Sequence, residues 1–72
     1  MIQIGSEVGW SWMGSVATGV VLQICPFRSE IVSKGKHIVR NGTELDPALI
    51  IRHSKGASVL KLSHEVQELK VA

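Results

Sequence analysis

Trp10 and Trp12 stand two residues apart, and with Phe27 they are the only large aromatic rings in a chain without tyrosine. Aromatic faces grouped around one space recognise alkylated ammonium groups, but that chemistry needs several rings together. Strand alternation puts Trp10 beside Val8 and assigns it to the core, which leaves too few rings for a cage. Trp12, at a strand end next to Gly14, is the better contact residue, because an indole offers an apolar body with a polar edge. Phe27 is the second aromatic candidate.

The next candidate chemistry is anion binding. Residues 28–40 carry Arg28, Lys34, Lys36 and Arg40 against Glu30 alone, while the rest of the chain is slightly acidic and the whole has a net charge of +2. Lys34, Lys36 and Arg40 fall on one face of an extended segment and form a basic rim that could meet phosphates. Lysines on an edge strand also serve simply to prevent edge-to-edge association. Residues 28–40 contain no Trp, Tyr or Phe on which a base could stack, as single-strand binders require, so nucleic acid stands second to protein as the expected partner.

Metal and acid–base chemistry find less support. His37, His53, His64 and Cys25 show none of the close ligand pairs typical of zinc sites, and neither a metal nor a cofactor is expected. Glu44 and Asp46 could pair for acid–base work, yet their place before Pro47, with Thr43 able to cap, reads as a turn. No glycine-rich phosphate loop occurs. The short plasmid-borne dihydrofolate reductases also use small barrels, with an active strand Val-Gln-Ile-Tyr; here Gln23-Ile24 is followed by Cys25. The expectation is a protein that is not an enzyme.

These residues must be held by strands. Val8, Trp10 and Trp12 alternate with Glu7, Gly9 and Ser11, the period of a half-buried strand. Met13-Gly14-Ser15 reads as a tight turn. A second strand runs from Val16 to Cys25, with Val20-Val21-Leu22 breaking the alternation as a bulge or burial on both faces near Gly19 would, and Pro26 ends it. Residues 29–41 are either one strand bent at Gly35 or a hairpin around Lys34-Gly35-Lys36. Residues 41–47 make a loop with room for one helical turn, Ala48 to His53 a fourth strand, and Ser58 to Leu62 a fifth after the Ser54-Lys55-Gly56 turn. Ser63 could cap a short terminal helix burying Leu62, Val66 and Leu69.

Seventy-two residues predict one domain, residues 1–72 with a core of about 6–69. A lone cysteine offers no internal disulfide and suits a reducing, cytoplasmic setting. No basic stretch followed by an apolar run opens the sequence, so a secretory signal is not expected, and the apolar run Val16 to Ile24 is too short to span a membrane. Large apolar side chains number 27, more than so small a barrel can turn inward. The surplus predicts self-association, as a dimer, with Val20, Ile38 and Ile50 on the outer faces.

Three groups of residues carry a family likeness. The first is Val8-x-Trp10-x-Trp12 with Gly14 and Gly19-x-Val21. The second is Lys34-Gly35-Lys36 leading to Val39-Arg40-Asn41 and Glu44-x-Asp46-Pro47-Ala48-x-Ile50. The third is Gly56, Val59-Leu60-Lys61 and Glu65-Val66. In this order they resemble the bacterial and fungal hypervirulence-associated TUDOR-like domain from Ser6 to Leu69. The sequence departs from that pattern at Leu49, where the family commonly has an aromatic, and at His64-Glu65-Val66, where it has Ser-Glu-Leu. The resemblance implies an all-β, SH3-like, five-stranded small barrel with a short C-terminal helical turn. It supplies a fold and no activity. The combined expectation is a non-catalytic interaction module that binds protein and itself, with Trp12, Phe27, Lys34, Lys36 and Arg40 at the contact.

Overall fold

A computed structural model describes residues 2–72. Two tight hairpins set the architecture. β1 (Glu7–Trp12) turns into β2 (Ser15–Cys25) through Met13 and Gly14, whose φ angles are +48° and +81°. β3 (Arg28–Ser33) turns into β4 (Lys36–Asn41) through Lys34 and Gly35, at +52° and +76°. Positive φ at both central positions marks the turn whose twist matches that of paired strands. The segment 29–41 is therefore a hairpin and not a bent strand. β5 (Ala48–His53) and β6 (Ser58–Leu62) form a third hairpin.

β2 is long enough to serve two partners. Its first half pairs with β1 and its second half with β5. Between Val21 and Gln23 the register shifts, leaving Leu22 without a partner on β5. Of the two readings of the broken alternation this is the bulge, and it lets the strand bend. Gly19 sits where β2 meets β5 closely: a Cβ there would lie 2.5 Å from the Arg52 carbonyl oxygen and 2.6 Å from Ile51 Cγ2.

The C-terminal segment departs from expectation. Ser63–Glu65 is a single 3-10 turn, and the chain then becomes extended at Val66 and forms β7 (Gln67–Lys70), antiparallel to β1. Ser63 does not cap; instead the Glu65 carboxylate accepts the Leu62 N–H at 2.8 Å. The edge of β1 offers a ladder to residues 67–70, and those bonds outweigh the helical spacing of Leu62, Val66 and Leu69. Leu69 is exposed. The 41–47 loop, by contrast, holds no helical turn: Thr43 Oγ1 accepts the Asp46 N–H at 3.1 Å, and the Thr43 N–H donates to the Asp46 carbonyl at 3.1 Å.

Seven strands thus replace the predicted five, in an all-β fold of two sheets among the described residues. One sheet has the order β6-β5-β2-β1-β7 and the other is the β3-β4 pair. No ladder joins them, so the sheet is not closed. Among the described residues no helix is long and apolar enough to cross a membrane.

Side chains hold the two sheets together. Val8, Trp10, Ala17, Val21, Leu49 and Ile51 form the main core. A second cluster of Cys25, Ala48 and Leu60 lies against Ile31, Ile38, Ile50 and Leu62. Ile31 and Ile38 are opposite one another in the β3-β4 ladder, so both press inward from the hairpin. Ile38 and Ile50 therefore belong to this cluster and not to an outer face. Of the three outward residues expected, Val20 alone is exposed.

Candidate functional site

A groove of about 560 Å³ runs between the open end of β1, the β4 strand and β6. The alternation along β1 places Trp10 and Trp12 on one face. Trp10 is 6% exposed and belongs to the main core, while Trp12, past the last covering residue, is 57% exposed. Both indoles line the groove. The Trp10 ring meets His53 edge-on, with centroids 5.8 Å apart and planes at 77°. His53 Nδ1 accepts the Lys55 N–H at 2.9 Å, so in the neutral ring the proton sits on Nε2.

The opposite wall is basic. Lys34 from the hairpin tip, Lys36 and Arg40 from β4 and Lys61 from β6 all line the groove, and no carboxylate does. Lys34 and Lys36 are exposed. Arg40 is half-buried, its Nε donating to Glu65 Oε1 at 3.0 Å and its Nη1 to the Val39 carbonyl at 3.0 Å. Burial raises the Glu65 pKa, but the Leu62 N–H, the Arg40 guanidinium and more distantly Lys61 outweigh that and hold it below the ordinary glutamate value. The hydrophobic floor comes from Ala17, Ile38, Val59 and Leu60.

Four of the five residues expected at a contact surface, Trp12, Lys34, Lys36 and Arg40, thus line one groove. Phe27 is exposed but lies at the β2–β3 corner, outside it. Sequence reasoning missed His37, His53 and Lys61. Lys61 alternates with buried Leu60 and partly buried Leu62 and carries the same charge as the rim, which is the one signal that could have marked it.

The other candidates are drawn apart. His64 donates its N–H to Asp46 Oδ1 at 2.9 Å and places Nδ1 2.6 Å from Asp46 Oδ2. These contacts, the side-chain one first, lower the Asp46 pKa. Asp46 therefore ties the 41–47 loop to the 3-10 turn, while Glu44 is exposed. His37 faces Glu30 at 3.2 Å, and Cys25 is buried in the second cluster. Among the described residues no three His, Cys, Asp or Glu side chains are grouped as a metal would require.

Comparison with curated proteins finds no match, and comparison with solved structures finds none either. Residues 5–66 match the family described as hypervirulence associated proteins TUDOR domain. That span includes both tight hairpins, the β5-β6 hairpin and all the groove-lining residues, and the chain belongs to this TUDOR domain family.

Proposed function

We propose that the chain is a non-catalytic interaction module, an SH3-like barrel left open beside β4, that binds a segment of a protein partner in the groove. The observation that carries this reading is the convergence of Trp12, Lys34, Lys36 and Arg40 on one groove without a carboxylate. An exposed indole beside apolar side chains, rimmed by charge, has the make-up of a protein-binding hot spot. The four cations Lys34, Lys36, Arg40 and Lys61 repel an alkylated ammonium ligand, and two indoles are fewer aromatic faces than a cage for one gathers.

The test is capture from nuclease-treated cell extract by the wild-type chain and by a Lys34→Glu, Lys36→Glu variant. Partners that bind the wild type and are lost with the variant support the reading; partners captured equally by both overturn it.

One observation favours nucleic acid as a second reading. Lys34 and Lys36 share the groove with Trp12, which supplies the large aromatic ring that residues 28–40 lack. Binding of a fifteen-residue oligothymidine that falls steeply between 50 and 200 mM salt would support it. Self-association as a dimer rests on surface apolar residues, among them Val20, and a monomer by light scattering at high concentration overturns it.

A further inference from the structure

Among the described residues β4 has a partner on one side only. It pairs with β3, and the alternation of an antiparallel ladder fixes which of its main-chain groups that pairing uses. The two-residue turn closes on Ser33 and Lys36, and at the far end Gly42 donates its N–H to the Phe27 carbonyl at 3.2 Å. The bonded pairs are therefore Ser33 with Lys36, Ile31 with Ile38 and Ser29 with Arg40. The N–H and C=O groups of His37 and Val39 point away from β3. Among the described residues no main-chain group bonds to them, and only the Val39 carbonyl is engaged, by Arg40 Nη1 at 3.0 Å.

This open edge borders the groove. Five consecutive residues, Lys36 to Arg40, line it. A strand that showed the groove only one face would contribute every second residue. Across the gap, Ala57 to Lys61 are likewise consecutive, and β6 also has a ladder partner on one side only.

We infer that the outer edge of β4 accepts an extended acidic peptide segment as an added antiparallel strand. This rests on the protein-binding reading above and deepens it. Main-chain pairing supplies affinity in such complexes and alternate side chains supply selectivity. Here Lys36 and Arg40 stand on the same face of β4, two residues either side of that face's centre at Ile38, with Lys34 at the tip and Lys61 opposite. An acidic side chain opposite Lys36 is attracted, and one opposite Arg40 shares a guanidinium that already holds Glu65. A second copy of β4 would set its own lysines against these and be repelled. The lysines that keep this edge from pairing with itself thus select a strand of opposite charge.

The geometry specifies a register. In an antiparallel pair, residues opposite His37 and Val39 exchange main-chain bonds with them, and residues opposite Lys36, Ile38 and Arg40 do not. In a bound peptide alternating Glu and Val, the Glu side chains lie opposite Lys36 and Arg40, so the Val N–H groups bond β4.

The probe is an end-blocked eight-residue peptide alternating Glu and Val, titrated by NMR with amide exchange read at His37 and Val39. N-methylation of the Val residues is expected to weaken binding tenfold or more, N-methylation of the Glu residues less than threefold, and saturation to slow both amides at least tenfold. Binding that is lost with Lys34→Glu, Lys36→Glu, yet is equally sensitive to both methylated peptides and leaves the two amides unprotected, overturns strand addition and keeps the groove reading. Failure of the peptide to bind, with oligothymidine binding in its place, overturns strand addition and gives the groove to nucleic acid. If neither binds and captured partners ignore the charge reversal, both inferences fall.

Discussion

The Arg40 guanidinium reaches across from β4 to Glu65 in the 3-10 turn, Nε to Oε1 at 3.0 Å, with the two side chains 32% and 27% exposed. This ion pair joins the β3-β4 hairpin to the five-stranded sheet where no ladder does. Glu65 Oε1 also accepts the Leu62 N–H, so its loss leaves a main-chain donor without a partner, whereas loss of Arg40 does not.

Glu65→Ala is accordingly expected to destabilise more than Arg40→Ala. A charge-assisted bond of this kind, partly screened by water, is worth about 1–2 kcal/mol. Denaturant titration of the two variants and their double mutant gives the coupling, and equal effects of the two single changes would contradict the assignment.

Stability also depends on pH through the same carboxylate. The pKa of Glu65 is lower in the folded chain than in the unfolded one, so the unfolded state takes up its proton first as pH falls. The contribution is whole above the ordinary carboxylate value of about 4.3 and is lost as pH drops through the lower folded value. Asp46, lowered by His64, adds a change of the same sign. Denaturation midpoints measured from pH 7 to pH 3 should fall below about pH 4, and Glu65→Gln should flatten the decline.

Met13 and Lys34 occupy equivalent positions in the two tight turns, both at positive φ. A side chain there is strained relative to glycine, less what glycine loses in chain freedom, so replacement should stabilise by about 0.5–1 kcal/mol. Met13→Gly should do so without consequence for binding, since Met13 does not line the groove. Lys34→Gly should gain similar stability and weaken binding of the acidic peptide. Thermal melts paired with titration separate the two effects.

Gly19→Ala should be among the most damaging single changes. The added methyl would overlap the Arg52 carbonyl, a main-chain atom of the paired strand. The ladder cannot yield as a flexible side chain would, and a loss of about 3 kcal/mol, at the upper end of the overpacking range, is expected. Urea titration of the purified variant measures it.

Most of the strands were legible because their information is local. Alternation at Val8, Trp10 and Trp12 and glycines at 14, 35 and 56 suffice to locate hairpins. The choice between a bent strand and a hairpin at Lys34-Gly35 depended on the φ of Lys34, which composition does not reveal. β7 was misread for a different reason. Leu62, Val66 and Leu69 have helical spacing, and only the open edge of β1, some sixty residues away in sequence, makes residues 67–70 a strand.

The groove was legible as separate pieces. Trp12 and the three basic residues could each be singled out by type and position, but their convergence is a property of how the β3-β4 hairpin folds against β6. Ile38 was misplaced for the same reason. Its face carries Lys36 and Arg40, which look outward in sequence, yet the centre of that face packs on the cluster of Cys25, Ala48 and Leu60. His53 gave no sign of its role because its contact with Trp10 joins β5 to β1, strands that do not neighbour one another in the sheet.

Cys25 lies in the cluster that Ile31 and Ile38 cover from the hairpin. As the chain's single thiol, buried with that cluster, it is expected to be alkylated when the hairpin lifts from the sheet. The rate of its reaction with a maleimide therefore times the opening of one sheet from the other. A strand seated along β4 would slow that chemistry without touching the sulfur.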